Sequence, residues 1–178
     1  MGSRTGRPSA SDSAVSDRES GFPPSKECAR CRGDCCKNLP GGAHPVLDFG
    51  LPQTQQLRAA LRGGKYAIDW FEGDPRAGKS DLSEGYYVRA AVKDAERLFD
   101  PSFGGECVFL TETGCELKFN QRPWMCRMLE PKPNGGKCVQ HGGSKREDAL
   151  RWLPYRAILL RVGRAEESRC GKEPKCPS

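Results

Sequence analysis

Histidine is nearly absent, with only His44 and His141 in 178 residues. The metalloprotease pattern H-E-x-x-H and the nucleophile elbow G-x-S-x-G are both missing, and no nucleophile–base set stands out. The sequence therefore names no catalytic residue. No apolar run approaches the roughly 18–20 residues that a membrane helix needs, which argues against a spanning segment. From Met1 to Ser20 there is neither an apolar stretch nor a cleavage pattern, so no secretory signal is read. The net charge is +6, spread without a block of about five or six like charges. That describes a solvated surface better than a nucleic-acid-binding face, and nucleic acid is not an expected partner.

Apolar content is also low. Hydrophobic residues make up 36% of the chain, with 21 glycines and 14 prolines, and the mean hydropathy is −0.69. A loop-rich domain with so thin a core needs cross-links. Ten cysteines supply them, as disulfides or as metal ligands. A chain without an export signal is expected to be cytoplasmic, where structural disulfides are rare, and metal ligation is the favoured reading.

Three regions are expected. Residues 1–25 read as a disordered tail, too poor in apolar groups to order itself. Residues 26–163 form the cysteine-rich domain, and 164–178 form a polar C-terminal tail. Within the domain, Val46 to Phe49 reads as extended. A helix is expected from Pro52, with Leu57, Ala60 and Leu61 on one face and Gly63-Gly64 as its stop. Tyr66 to Phe71 reads as a strand, and 72–85 as a loop. Val88, Val92, Ala95 and Phe99 recur at helical spacing, which predicts a helix over 88–99. Cys107 to Leu110 and Cys115 to Phe119 read as a hairpin around Thr111-Glu112-Thr113-Gly114. Ser144-Lys145-Arg146-Glu147 is a capping box opening a helix, which Pro154 should kink or split. The fold class expected is α+β: a small, irregular, metal-centred domain with about three helices and short hairpins.

The cysteines fall in two distant stretches, Cys28-x-x-Cys31-x-x-x-Cys35-Cys36 and Cys107 to Cys138. Thiolates are soft ligands that close tetrahedral zinc sites or hold iron–sulfur clusters. A C-x-x-C turn can aim two thiolates at one metal, although a redox dithiol uses the same spacing. In an extended backbone Cys35 and Cys36 would face opposite sides. One would then join Cys28 and Cys31 while the other served a second site or packed as a small hydrophobe. Arg122, in Arg122-Pro123-Trp124-Met125-Cys126, is placed to hydrogen-bond a sulfur shell or is an ordinary surface arginine. His141 stands at Cys-x-x-His spacing from Cys138 and is either a substitute ligand or simply exposed. His44 reads as a loop residue.

The order C-x2-C-x3-C-C, Cys-Val-Phe-Leu, Gly-Cys-Glu-Leu, Arg-Pro-Trp-Met-Cys-Arg and then Cys138 before Arg146-Glu147-Asp148-Ala149-Leu150 resembles the YkgJ-like cysteine-cluster family. Its members are described as zinc- or iron-chelating proteins, some labelled iron–sulfur oxidoreductases. The resemblance runs roughly from Cys28 to Leu153. It implies that Cys28, Cys31, Cys35, Cys36, Cys107, Cys115, Cys126 and Cys138 are metal ligands, with Cys170 and Cys176 outside the pattern. The cofactor implied is a [4Fe–4S] cluster or Zn²⁺. A cluster implies electron transfer or redox sensing. Zinc implies a structural module that docks a protein partner, for example through the helix at 144–163, or a metal carrier.

One motif competes. Gly73-Asp74-Pro75-Arg76-Ala77-Gly78-Lys79-Ser80 matches the phosphate-loop pattern G-x-x-x-x-G-K-[ST]. That loop must leave a buried strand and enter a long helix, whereas Asp81 to Gly85 is a weak helix start. Residues 73–80 are read as a solvated loop, and a nucleotide is not expected.

Overall fold

In a computed structural model of the chain, the described residues are 33–38, 40–73, 85–95, 97–101, 104–112, 114–130, 139–140 and 144–170. The expected 1–25 tail lies outside them, as do Asp74 to Ser80 of the phosphate-loop match. The architecture is α+β. A short helix α1 (Asp34–Asn38) precedes α2 (Gln55–Arg62) and an antiparallel pair, β1 (Tyr66–Phe71) and β2 (Gly85–Ala90). Then come a minimal hairpin, β3 (Leu110–Thr111) with β4 (Gly114–Cys115), and a one-turn helix α3 (Trp124–Arg127). A third pair, β5 (Leu129–Glu130) with β6 (Val139–Gln140), is followed by α4 (Lys145–Trp152) and α5 (Arg156–Cys170).

The core lies between the β1–β2 ribbon and the three longer helices. Register pairs Ile68 with Val88 and Asp69 with Tyr87, so Ile68 and Val88 reach the interior together. Leu57 and Leu61, four apart on α2, are buried with Trp152 of α4 and Leu159 and Val162 of α5. This apolar core is continuous, and among the described residues it contains no cysteine in its buried members. Asp69 is wholly buried beneath it and accepts from Arg89 Nε at 2.8 Å and from Lys145 Nζ at 3.1 Å. Arg89 reaches on to Asp100 at 2.8 Å, so the buried carboxylate and guanidinium each have partners.

Helix α2 stops at Gly63, whose amide donates to Ala59 O at 3.1 Å, and at Gly64 with φ +66°. The Ser144–Glu147 capping box is formed as expected. A tight turn at Leu153–Tyr155 carries Pro154 and separates α4 from α5.

Several expectations are corrected. Residues 88–90 belong to a strand, and 92–99 carry bridges instead of a helix: Val92 pairs with Cys107 and Phe99 with Ile68. The run Gly85-Tyr86-Tyr87-Val88 is aromatic and β-branched, and its pairing with β1 outweighs the helical spacing. Val46 to Phe49 is a turn, closed by Gly50 N–H to Val46 O at 2.8 Å. His44 Nδ1 supports it by accepting from the Val46 and Leu47 amides at 3.1 and 3.2 Å. The hairpin after Cys107 is only two residues long on each side. Helix α5 continues past 163, where a polar tail was expected, because Glu166 is buried against Arg58 and Arg62 of α2. Finally, β1 leads into the phosphate-loop match, but β2 opens at Gly85 and returns antiparallel. The described strands on either side of the match thus lack the parallel order of a nucleotide-binding sheet.

Candidate metal centre

The thiols gather in a second, smaller cluster beside the main core. Cys107 is buried there with Ala90, Phe109 and Leu110, and Cys36 and Cys115 pack against it. The sulfurs arrive from four segments, Cys35 and Cys36 together on α1. Gly33, at φ +75°, turns the chain into α1, where Cys36 N–H bonds Gly33 O at 2.7 Å. Cys36 and Cys35 are thus helical and not extended, and their sulfurs stand 3.9 Å apart instead of facing opposite sides. Cys36 O accepts the Cys107 amide at 2.7 Å, which stitches the first cysteine stretch directly to the second. Gly114, at φ +120°, lets the β3–β4 turn close with Cys115 opposite Leu110.

Cys126 rides on α3, which is held from outside. Asp48 Oδ2 accepts the Trp124 amide at 2.9 Å, and Asp48 Oδ1 accepts Arg127 Nη2 at 2.7 Å. The Met125 amide bonds Gly42 O at 3.1 Å. Gly41 runs so close to Cys126 that a Cβ there would overlap Sγ. None of Asp48, Gly41 and Arg127 was singled out from the sequence. Their roles depend on the 40–50 loop folding against α3, and no local motif announces that.

The thiols are near enough to resist one another's ionisation. Burial pushes Cys107 up to about 11, with Cys115 and Cys35 adding to the shift. Burial also pushes Cys126 well up, reinforced by Cys107, Cys115 and Cys35 and opposed by Arg122. Cys35 is raised most by its hydrogen bond with Cys36 and then by burial. Tyr66 joins the same group: burial raises its phenol, as do Asp48, Cys126 and Cys107. Without metal, Cys35, Cys107 and Cys126 are therefore neutral near pH 7.

Arg122 completes the site. It is 4% exposed, its Nε donates to Leu117 O at 3.2 Å, and its buried Nη2 has no hydrogen-bond partner among the described residues. The surface-arginine reading is corrected. An unpaired buried charged donor costs about 1–3 kcal/mol or more, so this atom asks for an acceptor. Soft thiol donors with a guanidinium in the same neighbourhood are of the kind that would hold a metal as thiolates.

Of the eight expected ligands, Cys35, Cys36, Cys107, Cys115 and Cys126 are described and come together, all with free thiols. Cys28, Cys31 and Cys138 lie outside the described residues, as do His141 and Cys176. Among the described residues no three His, Cys, Asp or Glu side chains close around a single ion. His44 is a turn residue whose ring lies tilted against that of Trp124, with centroids 5.7 Å apart. No described helix is long and apolar enough to cross a membrane. No family model matches the chain, and neither a curated protein nor a solved structure matches it.

Proposed function

We propose that this protein holds a metal centre on its clustered cysteines, an iron–sulfur cluster with a redox or electron-transfer role. The observation that carries the reading is the packing of Cys36 and Cys115 against buried Cys107, with the Cys35 sulfur 3.9 Å from that of Cys36. The likeness of the cysteine order to the YkgJ-like family supports it and would add Cys28, Cys31 and Cys138 as ligands. Bound there, a cluster supplies one-electron chemistry tuned by hydrogen bonds and burial. Cys36 ties the two ligand stretches together through its carbonyl, while Asp48 and Gly41 hold Cys126 in place.

Zinc is the second reading, and one distance favours it. A tetrahedral zinc at about 2.3 Å from each sulfur sets thiolates roughly 3.8 Å apart, and Cys35 and Cys36 stand at 3.9 Å. The protein would then be a structural or partner-docking module, or a carrier of the ion. Anaerobic purification followed by an absorbance scan and metal and sulfide analysis separates the two. Brown protein with bound sulfide is expected. Colourless protein with stoichiometric zinc would replace the redox reading, and metal-free protein that takes up neither would end both.

A further inference from the structure

We propose that His44 is an acid-released latch: its neutral ring closes the turn from His44 to Gly50, and protonation opens that turn and loosens α3. The inference goes beyond the metal-centre reading and does not depend on it. The Val46 and Leu47 amides donate to His44 Nδ1 at 3.1 and 3.2 Å. A nitrogen that accepts carries no hydrogen, so the ring is the neutral tautomer protonated on Nε2. An imidazolium is a donor at both nitrogens. A proton on Nδ1 therefore sets one N–H against two others, and both hydrogen bonds are lost together. Val46 and Leu47 are 42% and 63% exposed, so water can take up the released amides and the opening is reversible.

What the turn carries is Asp48. Its Oδ2 accepts the His44 backbone amide at 2.8 Å and the Trp124 amide at 2.9 Å, while Oδ1 accepts Arg127 Nη2 at 2.7 Å. One carboxylate thus joins the turn to both ends of α3. A ring that has left the amides and gained a positive charge competes with Arg127 and the Trp124 amide for that carboxylate. The other bonds of the turn, Asp48 N–H to His44 O at 3.1 Å and Gly50 N–H to Val46 O at 2.8 Å, join backbone to backbone and do not titrate.

The surroundings favour the neutral ring. Burial lowers the pKa of His44 most, and Arg151 of α4 comes next; Asp48 opposes them and Arg127 of α3 adds to them. Arg151 pairs in turn with Asp148, and its guanidinium lies 4.1 Å from the Trp124 ring that the His44 ring leans on. A histidine with a lowered folded value stabilises above its unfolded value and loses that contribution as pH falls through the folded one. The turn is therefore closed at neutral pH and opens in acid.

The test is NMR on the full chain, whose two histidines are told apart by the His44→Asn variant. At neutral pH the ring nitrogen signals of His44 are expected to show the hydrogen on Nε2. Below about pH 6 the ring should titrate in one step. Protection of the Val46 and Leu47 amides from exchange should fall with it by about tenfold, the equivalent of one hydrogen bond, and the Trp124 amide should follow with the same midpoint. Asparagine offers a side-chain oxygen to the same amides and cannot be protonated there, so His44→Asn is expected to keep the turn closed in acid. His44→Ala should leave it open at neutral pH as well. A hydrogen on Nδ1 at neutral pH, or a ring that titrates while the three amides stay protected, would overturn the inference on wild-type protein alone. An acid step in His44→Asn as large as that of wild type would also overturn it, since Asp148 and the other carboxyls are common to both proteins.

Discussion

Asp48 and Arg127, 79 residues apart in the chain, meet at 2.7 Å, and the same carboxylate accepts the first amide of the helix that Arg127 ends. A loop residue thus holds both ends of the one-turn helix that carries Cys126. So short a helix cannot stand alone. Removing the carboxylate leaves an unpaired amide and an arginine that is mostly buried. Asp48→Ala is expected to lower stability by roughly 2–4 kcal/mol and to reduce metal content at neutral pH. Asp48→Asn should keep the amide bond and lose the ion pair, with a smaller effect. Urea unfolding of both variants, with metal analysis alongside, checks this. Equal stability of Asp48→Ala and wild type would show that α3 is held by something else.

Gly41 gives a more local test of the same wall. A Cβ at this position would overlap Cys126 Sγ, whereas one at Gly63 would meet only backbone oxygens no closer than 3.4 Å. Gly41→Ala is expected to displace the sulfur and cut metal occupancy several-fold. Gly63→Ala should leave occupancy unchanged. Metal-to-protein ratios after identical loading make the comparison, and matching ratios for the two variants would remove Gly41 from the site.

The parts of this fold legible in the sequence were those written in a few adjacent residues. Ser144 and Glu147 announce the α4 cap, Gly63-Gly64 the end of α2, and Pro154 the break before α5. Helical spacing at Val88, Val92, Ala95 and Phe99 misled, because their faces are set by partners far away: Ile68 for Phe99 and Cys107 for Val92. The cysteine cluster was legible as chemistry because thiols are rare and their grouping is conspicuous. Its supports, Asp48 and Gly41, were not, since nothing local distinguishes them from any loop aspartate or glycine. Arg122 was legible only as a choice between a sulfur-shell donor and a surface arginine, and its burial had to be seen.

Glu166 fixes the C-terminal boundary of the domain. Its carboxylate is 2% exposed and bonds Arg62 at 3.1 Å and Arg58 at 3.5 Å. The hydrogen bond from Arg62 holds its pKa below the ordinary glutamate value. A carboxylate with a lowered folded value stabilises above the unfolded value and loses that contribution as pH falls through the folded one. Glu166→Gln is therefore expected to cost about 1–2 kcal/mol at neutral pH, a figure kept small because Arg62 is 57% exposed. The gap between variant and wild type should close in acid, below about pH 4. Truncation after residue 163 should cost at least as much as the single change. Unfolding free energies from pH 3 to 7 decide it, and a gap that widens in acid would refute the assignment.

Asp148 runs in the opposite direction. It lies buried on α4 against Gly42, which leaves room for its carboxyl only because it has no side chain. Burial raises Asp148 to about 7 despite its ion pair with Arg151, with Glu147 and Asp69 adding to the rise. Arg151 is drawn two ways, since its guanidinium also sits 4.1 Å from the Trp124 ring. A carboxyl whose folded value exceeds its unfolded one binds more protons in the folded state. Folding therefore loses stability as pH rises from near 4, at roughly 1.4 kcal/mol per unit, and the loss levels off above about 7. Asp148→Asn cannot ionise, so its stability relative to wild type should climb across that interval and then stay flat. Metal-free protein is the right sample, because thiol deprotonation would otherwise overlay the same range. A constant difference between the two proteins from pH 4 to 7 would mean that the pairing with Arg151 outweighs burial and keeps Asp148 ionised throughout.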